Sequence, residues 1–579
     1  MSSPAEEPYP YPSRAIIGSR RLTGANLYSH RPGAVLEIAL QPQNVGLLGR
    51  WHELMREILP RLKWEDEVTV VRHNASKTFG GLFLSAPLDG LLTATEVNEQ
   101  VWVAAEELAN ERPVDFEDLA ARLRVFQQHE RQPRMMALVH EARARGLSVT
   151  CDDESLSVGT GTGSDTWPLA SIPDVAAVSW DERHDIPVVL VTGSNGKTTT
   201  TRLLAAMLQK SGHVAGWSCT DGLWVNGECT APGDYSGPAG ARAILHDRRV
   251  TAAVLETARG GILRRGLAVD RADVAIVTNI SNDHLGEYGI DDLEALGVVK
   301  LVVARAIPPT GHVVLNADDA LLRRLAAHVV APIMWLSCDP TYVEVRSLLS
   351  RTQNFAVLDN GRVLIHLNGH RHDVGPVAEM PITVGGTLRY NIANVLAAAS
   401  AACSLGISAD DVRQVLATFG SHPSHNPGRF VQLALNGARV VVDFVHNPDG
   451  WRVMGDAFRG VPGRRLVVLG QAGDRDDAAL QELARSVAQF KPDLIVLKEM
   501  VKYLRGRTHG EVTRVLAREF ASLGVGEHQL YRAPDELSAV QQVAALARSG
   551  DLVIVGAHED VDAVINILRN VGAVDYPPG

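Results

Sequence analysis

The stretch VTGSNGKTTTTR, residues 191–202, decides the fold of this chain. It begins inside an apolar run at 187–193 that predicts a β-strand, and a helical pattern starts near Thr198. The glycine-bearing turn between them can present backbone N–H groups to phosphate oxygens, and the helix N-terminus adds favourable partial charge. The general P-loop pattern has a glycine five positions before Gly196, where Val191 stands, so the match is to the narrower pattern TGxNGKT.

Lys197 and Thr198 give this turn its chemistry. A lysine at that position reaches the β and γ phosphates of a nucleotide, and the following hydroxyl can ligate Mg²⁺. An ordinary strand-to-helix turn is the competing interpretation. The glycines, lysine and threonine in this order favour a nucleotide site.

Apolar strands and helices alternate from residue 186 to the end of the chain. Near-continuous apolar strands separated by helices imply a parallel sheet covered on both faces. The loop SHPSHNPGR at 421–429 marks a boundary between two such series. The predicted strands are 187–193, 252–256, 273–279 and 312–319, then 438–444, 464–470, 493–498 and 551–556.

The region before residue 186 has a different pattern. Residues 1–150 combine a short strand at 34–40 with helical stretches, and they contain no motif typical of an active site. We interpret them as a binding or scaffold domain. Residues 151–185 are rich in Gly, Ser and Thr and end in prolines, which predicts a poorly structured connector or a reduced domain.

Composition limits the class of protein. At roughly 150 residues per domain, the 579 residues predict about three to four domains. The chain has 67 acidic and 56 basic residues, for a net charge of −11, which argues against a general nucleic-acid-binding protein. The five cysteines form no CxxC pair and are typical of reduced thiols in a cytoplasmic protein. No signal peptide or membrane span is predicted.

Polar residues follow two predicted strands, at the edge where open α/β sheets bind ligands. Glu256 ends one strand, and Asn279, Asp283 and His284 follow another. With Thr198 and nucleotide phosphates, Glu256 gives an oxygen-rich set that suits Mg²⁺. His284 alone would be a loop or capping histidine, but beside these groups it is a candidate metal ligand.

A family resemblance rests on eight motifs that follow one another in a fixed order. From near residue 186 to the C-terminus the sequence resembles the Mur ligase superfamily. The resemblance implies a central P-loop ATPase domain over 186–425 and a C-terminal Rossmann-like α/β domain over 426–579, after a small α+β N-terminal domain. The motifs are TGSNGKTTTTR, LETARGGILRRG, TNISNDHLGEYGI, LNADD, YNIANVLAA, PGRF, VDFVHNP and GQAGDRDD.

Within that superfamily, TTTTR, LETARGGILRRGL and KEMVKYLRGRTHGE (498–511) resemble the cyanophycin synthetases. The N-terminal stretch LTGANLYSHRPGAVLEI is similar to them as well. The usual synthetase carries a full ATP-grasp domain between these parts, and here only residues of roughly 136–181 could be its remnant. The resemblance therefore points to the second type, which polymerises preformed β-aspartyl-arginine dipeptides at the Mur-type site.

The resemblance assigns roles residue by residue. It implies ATP and Mg²⁺ as cofactors, with metal ligands Thr198, Glu256 and His284, and it aligns Lys300 with a lysine that many members carry as a carbamate. Without the resemblance, Lys300 would be a snorkelling surface lysine. The implied nucleotide-binding residues are Gly193, Ser194, Asn195, Gly196, Lys197, Thr198, Thr199, Asn394, Arg429 and Asp443, and the implied catalytic residues are Lys197, His284 and Lys300.

A cationic cluster and the GQAGDRDD loop are candidate substrate contacts. Arg475 lies in the loop, and Lys498, Lys502, Arg505 and Arg507 form the cluster, which in an arbitrary protein would be a solvated helix face. The resemblance implies an ATP-dependent ligase that activates a polymer carboxylate as an acyl phosphate and adds β-aspartyl-arginine. It also implies a homodimer.

Three alternatives remain open. The chain could be a Mur-type ligase that joins another amino acid or dipeptide to an acidic acceptor. It could be a non-catalytic, polymer-binding partner of a full-length synthetase, although the intact set from Lys197 to Lys300 argues against that. A motor or switch NTPase is disfavoured because the two-domain ligase pattern continues through VDFVHNP.

Overall fold

The computed structural model describes residues 13–282 and 285–576. Their strands form separate N-terminal, small, central and C-terminal sheets. Each sheet has helices packed against it, and each has its own apolar core. This arrangement confirms the predicted fold class, in which a smaller α+β domain precedes two α/β domains. None of the helices in the described part of the chain has the length and apolar character needed to cross a membrane.

The N-terminal sheet is antiparallel, with strand order β1-β2-β4-β3. Helices α1 and α2 cover one face, and their apolar residues, including the fully buried Trp51 and Trp102, form its core. The elements are β1 (Ile16–Leu22), β2 (Gly33–Ala39), α1 (Leu47–Ile58), β3 (Thr69–His73), β4 (Phe79–Ser85), α2 (Leu91–Ala109) and α3 (Phe116–Glu130).

A small folded unit follows, where the sequence predicts either a connector or a reduced domain. Helix α4 packs on an antiparallel sheet around Leu138 and Leu156. The glycines of the 157–173 stretch serve packing, since a Cβ at Gly161 or Gly163 would overlap the backbone of Val250 or His184. The elements are α4 (Pro133–Ala144), β5 (Val149–Cys151), β6 (Ser155–Val158) and β7 (Asp165–Pro168).

The central sheet has the order β11-β10-β9-β12-β8-β13-β14-β15-β16-β17-β18, and its middle strands β9 to β16 in that order are parallel. The elements in the chain are β8 (Val188–Thr192), α5 (Lys197–Lys210), β9 (Ala215–Cys219), β10 (Gly222–Val225), β11 (Glu228–Pro232), α6 (Pro238–Leu245), β12 (Ala252–Glu256), α7 (Arg259–Arg265), β13 (Val274–Val277), α8 (Leu293–Lys300), β14 (His312–Asn316), α9 (Ala320–Leu325), β15 (Ile333–Ser337), α10 (Val343–Leu349), β16 (Phe355–Asp359), β17 (Arg362–Leu367), β18 (His370–Pro376), α11 (Arg389–Ser404) and α12 (Ala409–Leu416).

The expectation of a purely parallel sheet is wrong at both edges. Hairpins β10–β11 and β16–β17–β18 add antiparallel strands there. Their turns are the Asn-Gly pairs at 226–227, 360–361 and 368–369, where both residues have positive φ. Asn-Gly with that conformation is typical of a type I′ turn, which joins antiparallel strands tightly.

The C-terminal sheet has the order β23-β22-β21-β24-β20-β19-β25, with β23 to β20 parallel. Helices cover both faces. The elements are β19 (Val431–Leu435), β20 (Ala438–Asp443), α13 (Pro448–Ala457), β21 (Arg465–Leu469), α14 (Asp477–Gln489), β22 (Leu494–Lys498), α15 (Glu511–Ser522), β23 (Leu530–Ala533), α16 (Glu536–Leu546), β24 (Leu552–Gly556), α17 (Val561–Asn570) and β25 (Val574–Asp575).

Candidate functional site

The phosphate loop, residues 193–196, connects β8 to α5 at the carboxyl edge of the central sheet. Gly193 has a φ of 144° and Gly196 a φ of 87°, which side chains rarely tolerate. A Cβ at Gly193 would overlap the Thr278 hydroxyl, and one at Gly196 would overlap the Asn394 amide. Both glycines are therefore required by conformation and by close approach.

The end of β13 fixes the orientation of this loop. The Asn195 N–H donates to Asn279 Oδ1 at 3.0 Å, and Asn279 Nδ2 donates back to the Asn195 carbonyl at 2.9 Å. Thr278 Oγ1 donates to the same carbonyl at 2.6 Å. The first-turn amides of α5 lack intrahelical partners because of helix geometry. A loop held in this way leaves those amides for an anion.

Two lysines donate to carbonyls of the phosphate loop. Lys197 Nζ donates to Ser194 O at 3.0 Å, and Lys300 Nζ donates to Gly193 O at 2.8 Å. Lys300 is only 3% exposed, so its interpretation as a snorkelling surface lysine is wrong. Lys197 also lines the cavity described below, whereas Lys300 contacts the loop from outside that lining.

Thr198, Glu256 and Thr220 form a compact set of oxygen donors. Thr198 Oγ1 donates to one carboxylate oxygen of Glu256 at 2.8 Å, and Thr220 Oγ1 donates to the other at 3.0 Å. Glu256 is 1% exposed. Hydroxyl and carboxylate oxygens are the ligands that Mg²⁺ prefers, so the donor set fits that ion.

The predicted ligand His284 lies outside the described residues, as does Asp283. Within residues 13–282 and 285–576, no group of three or more His, Cys, Asp or Glu side chains has the geometry of a metal site. A Mg²⁺ ion at Glu256 would therefore depend on hydroxyl groups and on phosphate oxygens for further ligands.

The interdomain linker and the C-terminal domain reach the phosphate loop and α5 through three side chains. Arg429 Nη2 lies 3.4 Å from Thr198 Oγ1, and Asn447 Nδ2 donates to Asn195 Oδ1 at 2.9 Å. Asn426, on the interdomain linker (residues 421–430), donates to Thr199 Oγ1 at 3.1 Å. Together the two domains enclose a cavity of about 490 Å³ that the phosphate loop lines on one side.

Another part of the cavity lining carries Asn394, Tyr390 and Phe430. Asn394 is held by Asn391, whose Oδ1 accepts from Asn394 Nδ2 at 3.1 Å. The Tyr390 hydroxyl is buried and has no hydrogen-bond partner among the described residues. An aromatic pair and an unsatisfied hydroxyl in one wall fit a ligand with a ring and polar edges, such as a nucleoside.

Asp443 ends β20 on the same side of the cavity. Its carboxylate accepts the Phe430 N–H at 2.8 Å. Burial raises the pKa of this carboxyl to about 6, and the nearby Arg429 guanidinium opposes that rise. The carboxylate is therefore ionised at neutral pH and can accept hydrogen bonds from hydroxyl groups in the cavity.

The predicted cationic cluster does not exist as one surface. Lys498 is fully buried at the end of β22, where its ammonium pairs with Glu536 and donates to Gly556 O at 2.6 Å. It is not available to a substrate in this structure, which corrects the prediction for this residue. Lys502 is exposed, and its Nζ lies 3.5 Å from Glu559 O.

Arg505 and Arg507 hold the GQAGDRDD loop. Arg505 pairs with Asp474, and Arg507 pairs with Asp477 at 2.8 Å. Arg507 also donates to the carbonyl of Arg475 at 2.6 Å. The two arginines thus stabilise the loop that carries Arg475, and both are engaged with protein groups.

Two family models match the chain. The Mur ligase middle domain matches residues 191–402, and the Mur ligase glutamate ligase domain matches residues 428–558. These two regions are Mur ligase domains. They contain the phosphate loop and the C-terminal wall of the cavity described above.

Curated relatives include two cyanophycin synthetases. That of Synechocystis sp. is 40% identical over 333 residues, 58% of this chain and 38% of the relative. That of Crocosphaera subtropica is 36% identical over 385 residues, 66% of this chain and 44% of the relative. The chain thus spans less than half the length of these synthetases. A UDP-N-acetylmuramoyl-L-alanyl-D-glutamate–2,6-diaminopimelate ligase of Geobacter metallireducens is 27% identical over 419 residues, 68% of this chain and 78% of the relative.

Sequence reasoning missed several residues of the candidate site. Thr220 lies beyond the end of β9, and a lone hydroxyl after a strand gives no specific signal. Asn426 and Asn447 lie in the stretches SHPSHNPGR and VDFVHNP, which were recognised as motifs without a role for either asparagine. Tyr390 precedes the YNIAN asparagines, and only its burial beside the cavity reveals it.

Proposed function

We propose that the protein is an ATP-dependent amide ligase that extends cyanophycin by adding β-aspartyl-arginine dipeptides. The observation that carries this proposal is the cavity between the two Mur ligase domains, where Lys197, Glu256 and Arg429 converge. The similarity of both domains to cyanophycin synthetases supports the polymer as acceptor.

The chemistry begins with the activation of a carboxylate, the C-terminal carboxylate of the polymer. We propose that this carboxylate attacks the γ-phosphorus of ATP, so that a C–O–P linkage forms and ADP leaves. The amine of the dipeptide then displaces phosphate and forms the amide bond. The first step brings a carboxylate and the polyphosphate of ATP together, and positive groups must offset that repulsion. In the second step the attacking amine is neutral, and a proton is released from its nitrogen as the amide bond forms.

The chain's own groups supply much of that positive charge. Lys197 and Arg429 both line the cavity, and the first-turn amides of α5 add partial charge. When bound at Thr198 and Glu256, Mg²⁺ would neutralise phosphate charge and orient the phosphate chain. Contacts from both domains enclose the site, which excludes water from a labile acyl phosphate.

Lys300 and His284 are proposed to act near the carboxylate of the acceptor. A carbamate on Lys300 would convert a buried cation beside Gly193 into an anion, and with His284 it could hold a second Mg²⁺. Asn394 is the proposed adenine partner, and Asp443 the proposed ribose partner. The GQAGDRDD loop with Arg475 is proposed to shape the pocket of the incoming amine.

A preformed dipeptide is the proposed substrate. Adding free aspartate and free arginine would form two different amide bonds, which would need two activation sites. The phosphate loop at 193–196 opens onto the N-terminus of α5 at the cavity. The other glycine-rich stretch, at 159–163, packs closely on Val250 and His184, which supports one activation site.

The test is phosphate release from ATP and Mg²⁺ with a cyanophycin primer, comparing β-aspartyl-arginine with free aspartate plus arginine. Lys197→Ala is the blank. Turnover and polymer growth with the dipeptide alone are expected. ATP binding with no turnover on either substrate would refute the dipeptide assignment and leave a Mur-type ligase for another acid and amine, or a non-catalytic partner.

A further inference from the structure

Arg202 connects the phosphate-loop helix to the interdomain linker. It lies on α5, one turn beyond Thr198, and is 6% exposed. Its Nη2 pairs with Asp221 at 2.8 Å. Its Nη1 donates to the Pro427 carbonyl at 3.1 Å and lies 3.5 Å from Asn426 Oδ1. One guanidinium therefore joins the middle domain to the linker.

The same helix contacts the linker at three successive levels. Thr198 lies against Arg429, Thr199 accepts from Asn426, and Arg202 donates to Pro427. The Arg202 contact differs from the other two because it joins a guanidinium to a backbone carbonyl, and that guanidinium is itself held by an ion pair with Asp221. It is also the contact farthest from the cavity, so it can hold the linker without touching a bound nucleotide.

Backbone hydrogen bonds connect the part of the linker that Arg202 holds to the residues that line the cavity. The Arg429 N–H donates to Asn426 O at 3.1 Å, and the Phe444 N–H donates to Gly428 O at 3.0 Å. The Arg429 guanidinium then lies 4.3 Å from the centre of the Phe444 ring. The position of 426–428 therefore determines where Arg429 and the wall beyond it stand relative to Thr198.

We propose that Arg202 is a positioning residue that anchors the interdomain linker to the phosphate-loop helix and thereby places Arg429 over Thr198. Arginine suits this role because its planar fork bonds a carboxylate and a backbone carbonyl at once and stays charged at all relevant pH values. The role rests on the proposed function only for its effect on turnover. The anchoring itself can be measured without any substrate.

The matched control is Arg323, on α9. It pairs with Glu344 at 2.6 Å, donates to the Ala317 carbonyl at 2.6 Å, and lies 5.9 Å from the Tyr342 ring. Arg202 has the same three kinds of partner, with its cation 6.0 Å from the Trp224 ring. All partners of Arg323 named here lie in the middle domain, so Arg323→Met reproduces the loss of an ion pair without affecting the linker.

The first experiment is hydrogen exchange of residues 421–430, followed by mass spectrometry on the full chain. Arg202→Met is expected to speed exchange of this peptide by about 10-fold relative to wild type, because the linker opens more often. Arg323→Met is expected to leave it unchanged. Exchange within about twofold of wild type in Arg202→Met, or an equal increase in both variants, would overturn the proposal.

The second experiment separates positioning from nucleotide binding. In Arg202→Met the turnover number for phosphate release is expected to fall by about 10- to 100-fold, while nucleotide Kd rises by a clearly smaller factor, because the phosphate loop is intact and only the linker side of the site is displaced. Arg202→Lys should recover part of the turnover, since its ammonium keeps the positive charge and can still donate to Asp221 or to the Pro427 carbonyl. A loss of nucleotide affinity as large as the loss of turnover would overturn the proposal.

The two readouts separate this inference from the proposed function. If the wild-type protein shows no turnover with the dipeptide, the substrate assignment fails, and the exchange experiment still decides whether Arg202 anchors the linker. If turnover is present and linker exchange is insensitive to Arg202, the proposed ligase stands and the anchoring role fails.

Discussion

Substitution of Lys498 by methionine distinguishes a structural lysine from a substrate contact. The ammonium is fully buried and pairs with Glu536, whose carboxylate also accepts the backbone N–H groups of His558, Glu559 and Asp560. Removing one partner of a buried ion pair costs about 3–5 kcal/mol. Because three N–H groups still compensate the Glu536 charge, we expect the lower end, about 3 kcal/mol.

That loss is measurable as a thermal shift. For a cooperative unit the size of the C-terminal domain, about 3 kcal/mol corresponds to a decrease in Tm of roughly 6–12 °C. Thermal unfolding followed by circular dichroism measures the shift, and phosphate release at 20 °C measures the KM for dipeptide. The KM is expected to stay within about twofold of wild type, since Lys498 is enclosed in the domain.

The matched control is Lys502→Met, the same substitution at an exposed position of the same motif. Its effect on the free energy of unfolding is expected to lie within about 0.5 kcal/mol. An unchanged Tm for Lys498→Met together with a KM raised about 10-fold would refute the structural interpretation. It would return Lys498 to the substrate site.

Three further substitutions test the proposed nucleotide site. Glu256→Gln removes the carboxylate charge of the proposed Mg²⁺ site, and the Mg²⁺ concentration for half-maximal phosphate release should rise by about 10-fold or more; an unchanged requirement would exclude Glu256 as a ligand. Gly196→Ala places a Cβ against Asn394 at positive φ, and nucleotide affinity by titration calorimetry should fall by at least about 10-fold, whereas wild-type affinity would show that the loop tolerates the methyl group. Asp443→Asn tests the pKa of about 6. Between its ordinary pKa of 3.8 and about 6 the folded protein holds a proton that the unfolded chain has released, so this group lowers wild-type stability as pH rises through that window. Urea unfolding at pH 4.5 and 7.5 should show a smaller pH-dependent loss in Asp443→Asn, and identical losses in both proteins would contradict the raised pKa.

The sequence predicted the parts of the fold that depend on local pattern. The apolar runs at 187–193 and 252–256 became β8 and β12 because buried parallel strands need continuous apolar residues. The antiparallel edges were missed although their signal was present, in the Asn-Gly pairs at 226–227 and 360–361. The alternation of apolar strands with helices predicts the parallel middle of such a sheet. The antiparallel edge strands are predicted instead by the residues of their turns.

The candidate site was predictable where one motif carries the chemistry. Lys197, Thr198 and Glu256 lie together as the motifs indicated. The prediction that Lys498 contacts substrate was wrong because the sequence KEMVKYLRGR does not distinguish a buried lysine from an exposed arginine. Its partner Glu536 lies 38 positions away, and its burial depends on β22 lying between β21 and β23. An ion pair of this kind depends on tertiary structure, and the periodicity of apolar residues in the sequence does not predict it.

The close packing of Gly196 against Asn394 has an evolutionary consequence. Any side chain at 196 would overlap the Asn394 amide, so residue 394 and the phosphate loop share one volume. Gly196 cannot become smaller, and its positive φ disfavours any other residue. A lineage is therefore expected to keep glycine at 196, and to accept at 394 only side chains that are no larger than asparagine or that turn away from the loop.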